Sequence, residues 1–262
     1  MRWTLPLLLL AGCATTTQPA APNDSIFHYI RSNRDDSEAE NIVVFRPTRT
    51  EVAVYKWVER CTTAAYVTAV MDPAAWEAVR LDAGKVGKAG EQAKFGFMTL
   101  DPATRTLRAS LDTPDGAITD SVRVPDRPWR LFDYDLADLN AALQELRPER
   151  SFSFGLALVW PQEGSSRFFS YLGRVDATHV RDGQHLGRMA RRFDLRLTGP
   201  KQSTGTLWID AGRGFIVDAE LGAPNHPGYK DFRLRLDRIE SGGQRAWEAL
   251  LKRHYAGCPA GN

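Results

Sequence analysis

The chain has 262 residues, with 34 Lys and Arg against 32 Asp and Glu and a formal net charge of +2. So even a balance leaves no basic excess of the kind nucleic-acid binding requires, and nucleic acid is not expected as a partner. The length and a hydrophobic content of 43% suffice for one large core. No apolar run reaches the ~18 residues of a membrane-crossing helix.

Arg2 is followed by the apolar run Leu5 to Leu10 and then by Ala11-Gly12-Cys13. A positive start, an apolar run too short to span a bilayer and small residues ahead of a cysteine predict a cleaved secretory signal. Leu10-Ala11-Gly12-Cys13 also resembles the lipobox of bacterial lipoproteins. That resemblance implies cleavage before Cys13, acylation of Cys13 and a mature protein tethered to a membrane. Residues 1–12 are then the signal peptide, 13–24 the lipidated terminus with a flexible tether, and 25–262 a single β-rich domain. Ala14 stands where an Asp retains enterobacterial lipoproteins in the inner membrane, so the resemblance implies the outer membrane, facing the periplasm.

With Cys13 assigned to lipid, Cys61 and Cys258 remain as an even pair. An oxidising compartment predicts a disulfide between them that pins a C-terminal helix to an early strand. Two buried free thiols are the alternative.

In chain order, Ile26–Ile30 and Ile42–Phe45 predict two strands about the charged turn Arg34–Glu38. Glu51–Val58 and Ala64–Met71 continue the pattern. The apolar phase slips from Val52/Val54 to Tyr55/Trp57, which predicts a bulge. Asp72-Pro73 reads as an N-cap and first helical residue, giving a short helix over Ala74–Leu81. Gly84–Gly90 reads as a surface loop. Phe95 and Phe97 share one strand face, and Leu107, Ala109 and Leu111 share another, with Asp115-Gly116 as a hairpin turn. Leu136, Leu139, Leu143 and Leu146 recur at helical spacing, predicting a helix over Asp135–Arg147 capped by Asp133 or Asp135 and ended by Pro148. Strands follow at Phe152–Trp160, Phe168–Val175, around Phe193–Leu197, at Thr204–Ile209, Phe215–Leu221 and Phe232–Leu236, and a last helix over Gly243–Tyr255. The expected fold is mainly β, of the α+β kind: a curved antiparallel sheet or half-barrel with about three short helices packed on it.

The chain has no G-x-S-x-G, HExxH or CxxC. His179 and His185 flank a turn-like Arg181-Asp182-Gly183 and are candidates to share a metal with Asp182 or His28, although solvated loop histidines fit the pattern better. Asn225-His226-Pro227-Gly228-Tyr229 is the most distinctive short segment. It is either a tight connection between strands or a site where His226, with Asp231 or Lys230, performs acid-base work. Asn225, His226 and Tyr229 are therefore the candidate ligand or functional residues. No metal and no cofactor are called for. The tryptophans at 57, 76, 129, 160, 208 and 247, with twelve phenylalanines, either fill the core or line a cavity for a greasy ligand.

The lipobox, the tether, the run of strands, the helix Leu136–Leu146 and the hairpin Leu207-Trp208-Ile209-Asp210…Gly214-Phe215-Ile216-Val217 together resemble envelope lipoproteins related to the half-barrel fold of lipoprotein carriers. The resemblance implies a concave face able to hold acyl chains. The function expected is a non-catalytic, outer-membrane-anchored lipoprotein that binds a lipid or other hydrophobic ligand or supports envelope assembly through a protein partner. An anchored periplasmic hydrolase using His226 and nearby acids, and a protein-interaction module, are the alternatives.

Overall fold

Alternating β-branched and aromatic residues build fifteen strands among the described residues, 24–160 and 167–259 of the computed structural model. The first eight are β1 (Ser25–Ser32), β2 (Glu40–Phe45), β3 (Glu51–Trp57), β4 (Ala65–Asp72), β5 (Glu77–Val86), β6 (Gln92–Asp101), β7 (Thr106–Thr113) and β8 (Gly116–Arg123). The rest are β9 (Trp129–Leu131), β10 (Phe152–Val159), β11 (Phe169–His185), β12 (Arg188–Thr198), β13 (Ser203–Asp210), β14 (Ile216–Leu221) and β15 (Phe232–Ser241). All lie in one sheet, ordered β8-β7-β6-β5-β4-β3-β2-β1-β15-β14-β13-β12-β11-β10-β9. Neighbours are antiparallel apart from the parallel pair β9 and β10.

The expected half-barrel with about three helices is corrected by this topology. One continuous sheet carries most of the chain, and the described residues hold two α-helices, α1 (Ala137–Leu146) and α2 (Gly243–Arg253), with a 3-10 turn at Phe132–Tyr134. The sheet bends until β8 touches β11 and β9 touches β5, yet β8 and β9 remain its two edges. Asp120 on β8 ties the two regions together, accepting the backbone N–H groups of Phe168 and Phe169 at 2.9 Å each.

Several local expectations are corrected as well. Ala74–Leu81 is not helical: Asp72 accepts the N–H of Ala74 at 3.0 Å and Trp76 takes a left-handed φ of 51°, so the chain reverses and β5 begins at Glu77. Asp-Pro here starts a turn and not a helix. β5 runs on to Val86, through the residues read as the start of a surface loop. Opposite Phe95 and Phe97, read as one strand face, the register shifts between Ala83 and Gly84, and Met98 is buried while Phe97 is 43% exposed. Neither Asp133 nor Asp135 caps α1, whose N-cap is Leu136 with no side-chain bond. The segment around Arg181-Asp182-Gly183 is strand, and β11 turns only at Leu186-Gly187, both with positive φ, as a two-residue hairpin requires.

The bulge expected in β3 is absent. The register of β3 is unbroken on both sides, and its mixed phase has another cause. Val52 and Val54 belong to the core on the α1 side, whereas Ala53 and Tyr55 pack under Trp247 and Leu251 of α2 on the opposite face. A strand covered on both faces is apolar throughout. Cys61, after β3, is disulfide-bonded to Cys258, after α2, with Cα atoms 5.6 Å apart, so the expected bridge fastens this outer helix to the sheet.

α1 is set against the inner face by buried polar bonds. Asp138 accepts the N–H groups of Leu131 and Leu139 at 3.1 and 2.8 Å, and Asn140 accepts that of Ile216 at 2.8 Å. The Tyr134 hydroxyl donates to the Val52 carbonyl at 2.8 Å, and the Trp129 indole donates to that of Ala78 at 3.1 Å. The segment from β9 to α1 is thereby fixed across the sheet. Strand pairing also defines two ends: Ser25 lies beside Ser241, with Ile26 beside Phe45, at a proximal end, and Ser32, Glu40 and Trp57 lie at the distal end.

Candidate functional site

A cavity of about 530 Å³ opens between the inner face of β4–β7 and the β9–α1 segment. Val67, Leu81, Met98, Ala109 and Leu111 form its sheet wall, and Leu131, Tyr134, Val159 and Phe168 face them. Its distal end is polar, made by Glu40, Lys56, Thr63, Asp133 and His226 with Pro227. Phenylalanines contribute at 95, 97 and 168, but no tryptophan among the described residues lines it. Trp129 and Trp247 are buried in the two cores, and Trp208 is stacked under His185 at 4.3 Å.

The polar end rests on a buried charge network. Lys56, 7% exposed, donates to the Asp133 carbonyl at 2.9 Å and to the Asp135 carboxylate at 3.2 Å. Arg31, 2% exposed, donates to the Asn225 side-chain oxygen at 3.1 Å and to Glu40, and its Nε is 3.7 Å from Asp135. Asn225 is fully buried and donates onward to the Phe132 carbonyl at 3.1 Å and to Asp135 at 2.8 Å. The Tyr229 ring lies against the Arg31 guanidinium at 4.1 Å. Next to them, His226 Nε2 is 3.0 Å from Asp133 Oδ1, with the imidazole more than a third exposed.

Burial alone would lower the pKa values of Arg31 and Lys56. The Asp135 and Glu40 carboxylates outweigh it at Arg31, and Asp135 and Asp133 outweigh it at Lys56, so both are raised and both stay charged. At Asp133 burial pushes upward but Lys56 and His226 prevail, and its carboxyl is held below the usual range.

The three candidates from the turn after β14 are thus brought to one place with different duties: Asn225 and Tyr229 hold Arg31, and His226 reaches the cavity. The acid beside His226 is Asp133, not Asp231. Asp231 accepts the Arg34 N–H at 2.8 Å, and Lys230 pairs with Asp35 at 2.5 Å, both closing the loop. His28, His179 and His185 do not converge, each binding its own carboxylate at 3.0, 2.9 and 2.9 Å, namely Glu240, Asp182 and Asp218. Among the described residues no group of three or more His, Cys, Asp or Glu side chains is placed to hold a metal. Cys13 lies outside the described residues.

No protein-family model matches the chain, and no curated protein does. A solved domain from Vibrio parahaemolyticus, described as an outer membrane lipoprotein-sorting protein domain, is similar over 89% of this chain and 93% of its own, at 13% identity. The TM-score is 0.23, too loose a likeness to carry function.

Sequence reasoning missed Arg31, Glu40 and Lys56, and took Asp133 and Asp135 for helix caps. A signal was present for Lys56, the one cation inside the apolar run Val52–Trp57. A lysine there needs a buried carboxylate partner, and Asp133-Tyr134-Asp135 is where the chain supplies one.

Proposed function

We propose that this chain binds an amphiphile, its apolar tail within the β4–β7 cavity and its polar end at Lys56, Asp133 and His226, without catalysing a reaction. The observation that carries this reading is the cavity's own polarity: about 530 Å³ with apolar walls and one charged end, inside the ~300–1,000 Å³ of small-molecule sites. Glu40, Asp133 and Asp135 face Arg31 and Lys56 at that end, so an uncharged or amine-bearing headgroup is a better match than another carboxylate.

The test is fluorescence titration of the full chain with N-phenylnaphthylamine, then displacement by a monoacylglycerol, a lysophosphatidylethanolamine and palmitate. Saturable binding, displaced by the first two at lower concentration than by palmitate, is expected. Ala109→Phe, which projects a ring into the cavity, should weaken binding about tenfold or more while the far-UV spectrum is unchanged. Binding unaffected by Ala109→Phe and Ala83→Leu would remove the proposal.

The protein is further proposed to work as an outer-membrane lipoprotein anchored through Cys13. Metabolic labelling with palmitate should mark the wild type and not Cys13→Ala. The His226–Asp133 pair at 3.0 Å favours a second reading, ester hydrolysis at the cavity mouth with His226 as base. Turnover of p-nitrophenyl acyl esters that disappears in His226→Ala would replace binding by catalysis.

A further inference from the structure

The proximal end has a composition the amphiphile site does not use. The hairpin between β11 and β12 projects Leu186 and Met189, 48% and 51% exposed, and the end of α1 projects Leu146, 57% exposed. These tips are neighbours: Arg191 of β12 donates to the Pro148 carbonyl at 3.5 Å, and Gly214, in the turn before β14, lies so close to the Leu143 carbonyl that a Cβ would sit 2.5 Å from it. Around them stand Arg147, Arg150, Arg188 and Arg213, none within ion-pair distance of a carboxylate among the described residues. Arg188 and Arg213 lie instead over the Phe215 ring, each at 5.4 Å.

The acids flanking these tips already have partners. Glu145 is paired with Arg46 and Arg49, Glu149 lies 3.8 Å from Arg191, and Asp210 accepts the N–H groups of Gly212 and Arg213. The chain also enters the fold here: Arg213 donates to the Ser25 hydroxyl at 2.7 Å.

We infer that this end docks on a bilayer bearing anionic headgroups, with Leu186, Met189 and Leu146 at the acyl boundary and the arginines among the phosphates, so that the cavity mouth at His226 points away from the membrane. Unpaired arginines beside exposed aliphatic tips match such a surface in both charge and polarity. The chain that leads from Cys13 reaches the domain at the same end, so an anchor there and this docking face act together. That last step rests on Cys13 being acylated; the docking itself does not.

The test is hydrogen exchange of the full-length protein in nanodiscs of phosphatidylcholine with or without phosphatidylglycerol. Exchange at 183–189 should slow about fivefold or more when phosphatidylglycerol is present, and exchange at 222–231 should not change. Leu186→Asp with Arg188→Glu, at an exposed turn whose left-handed backbone accepts Asp, should abolish the protection, and Leu146→Asp should reduce it. Equal exchange in both bilayers, or protection at 222–231 instead, overturns the inference. Intact mass reports acylation of Cys13 separately. If the chain proves unacylated the anchor reading fails, and flotation of the same protein with phosphatidylglycerol vesicles then decides docking: binding lost in the double variant supports it, and no binding overturns it.

Discussion

The inner face of the sheet is used twice, with opposite results. Against β10–β15, Phe132, Leu136 and Leu139 meet Phe154, Leu156, Val175, Leu195, Leu207 and Phe232, leaving a void of about 10 Å³. Against β4–β7 the same segment leaves about 530 Å³. The difference follows from which side chains oppose each other. The packed half receives leucines from the start of α1, at the spacing that turns one face toward the sheet. The open half receives Leu131 and Tyr134, and part of the opposing wall is alanine, at 83 and 109. One inserted segment therefore plugs half of a bent sheet and roofs the rest, and the cavity lies where its apolar stripe stops.

The seam between the halves is the Arg31–Lys56–Asp135 network, and breaking it should have the largest effect. Lys56→Met removes the closer of the two cations facing the buried Asp135 carboxylate, leaving it Arg31 at 3.7 Å and the Asn225 amide, and a loss of about 3 kcal/mol is expected in urea unfolding. Next comes truncation within each half. Leu139→Ala should cost about 2–5 kcal/mol because the packed half has no room to relax, and Leu111→Ala, beside existing space, about 1 kcal/mol or less. Equal costs would mean that the two halves do not differ in packing. Enlargement sharpens the same contrast. Ala219→Phe in the packed half should cost about 1–3 kcal/mol or more, whereas Ala109→Phe should leave the unfolding midpoint nearly unchanged.

The sequence announced the packed half better than the open one. The spacing of Leu136, Leu139, Leu143 and Leu146 placed α1 within two residues, but of these only Leu139 and Leu143 lie on its buried face: Leu136 precedes the helix as its N-cap and Leu146 is 57% exposed. The hairpin of β13 and β14 was equally plain, since alternation fixes which face is buried and Asp210–Gly214 supplies turn chemistry. What failed were elements whose pattern has two physical causes. β3 reads as a bulged strand because α2, nearly two hundred residues later, covers its outer face. Ala74–Leu81 reads as a helix because an Asp-Pro pair starts turns and helices alike. The charge network was illegible for a related reason. It joins residues 31, 40, 56, 135 and 225, and no local rule brings those positions together until the sheet order places β2 beside β3 and the turn after β14 over both. Asn225-His226-Pro227-Gly228-Tyr229 stood out correctly as a segment, but its partner Asp133 sits in what the spacing assigned to a helix cap.

The smallest expected effect separates the halves by pH. Asp133 is held below its ordinary pKa, with Lys56 and His226 prevailing over burial. Its ionised form therefore supports the fold above the unfolded value, about 3.9, and that support fades as pH falls through the lower folded value. Lys56 has the opposite sign: its raised pKa stabilises the fold below the unfolded value of about 10.4 and is lost only as pH rises through the folded one. The leucine contacts of the packed half carry no titrating group. Asp133→Asn should cost about 1 kcal/mol near neutral pH, the side chain being partly solvated, and that cost should be smaller in acid, once the pH falls below the unfolded value of about 3.9. The Leu139→Ala cost, by contrast, should be the same at both pH values. Urea unfolding of the two variants against wild type makes the comparison, and a pH-independent cost for Asp133→Asn would show that its carboxylate does not hold the mouth through charge.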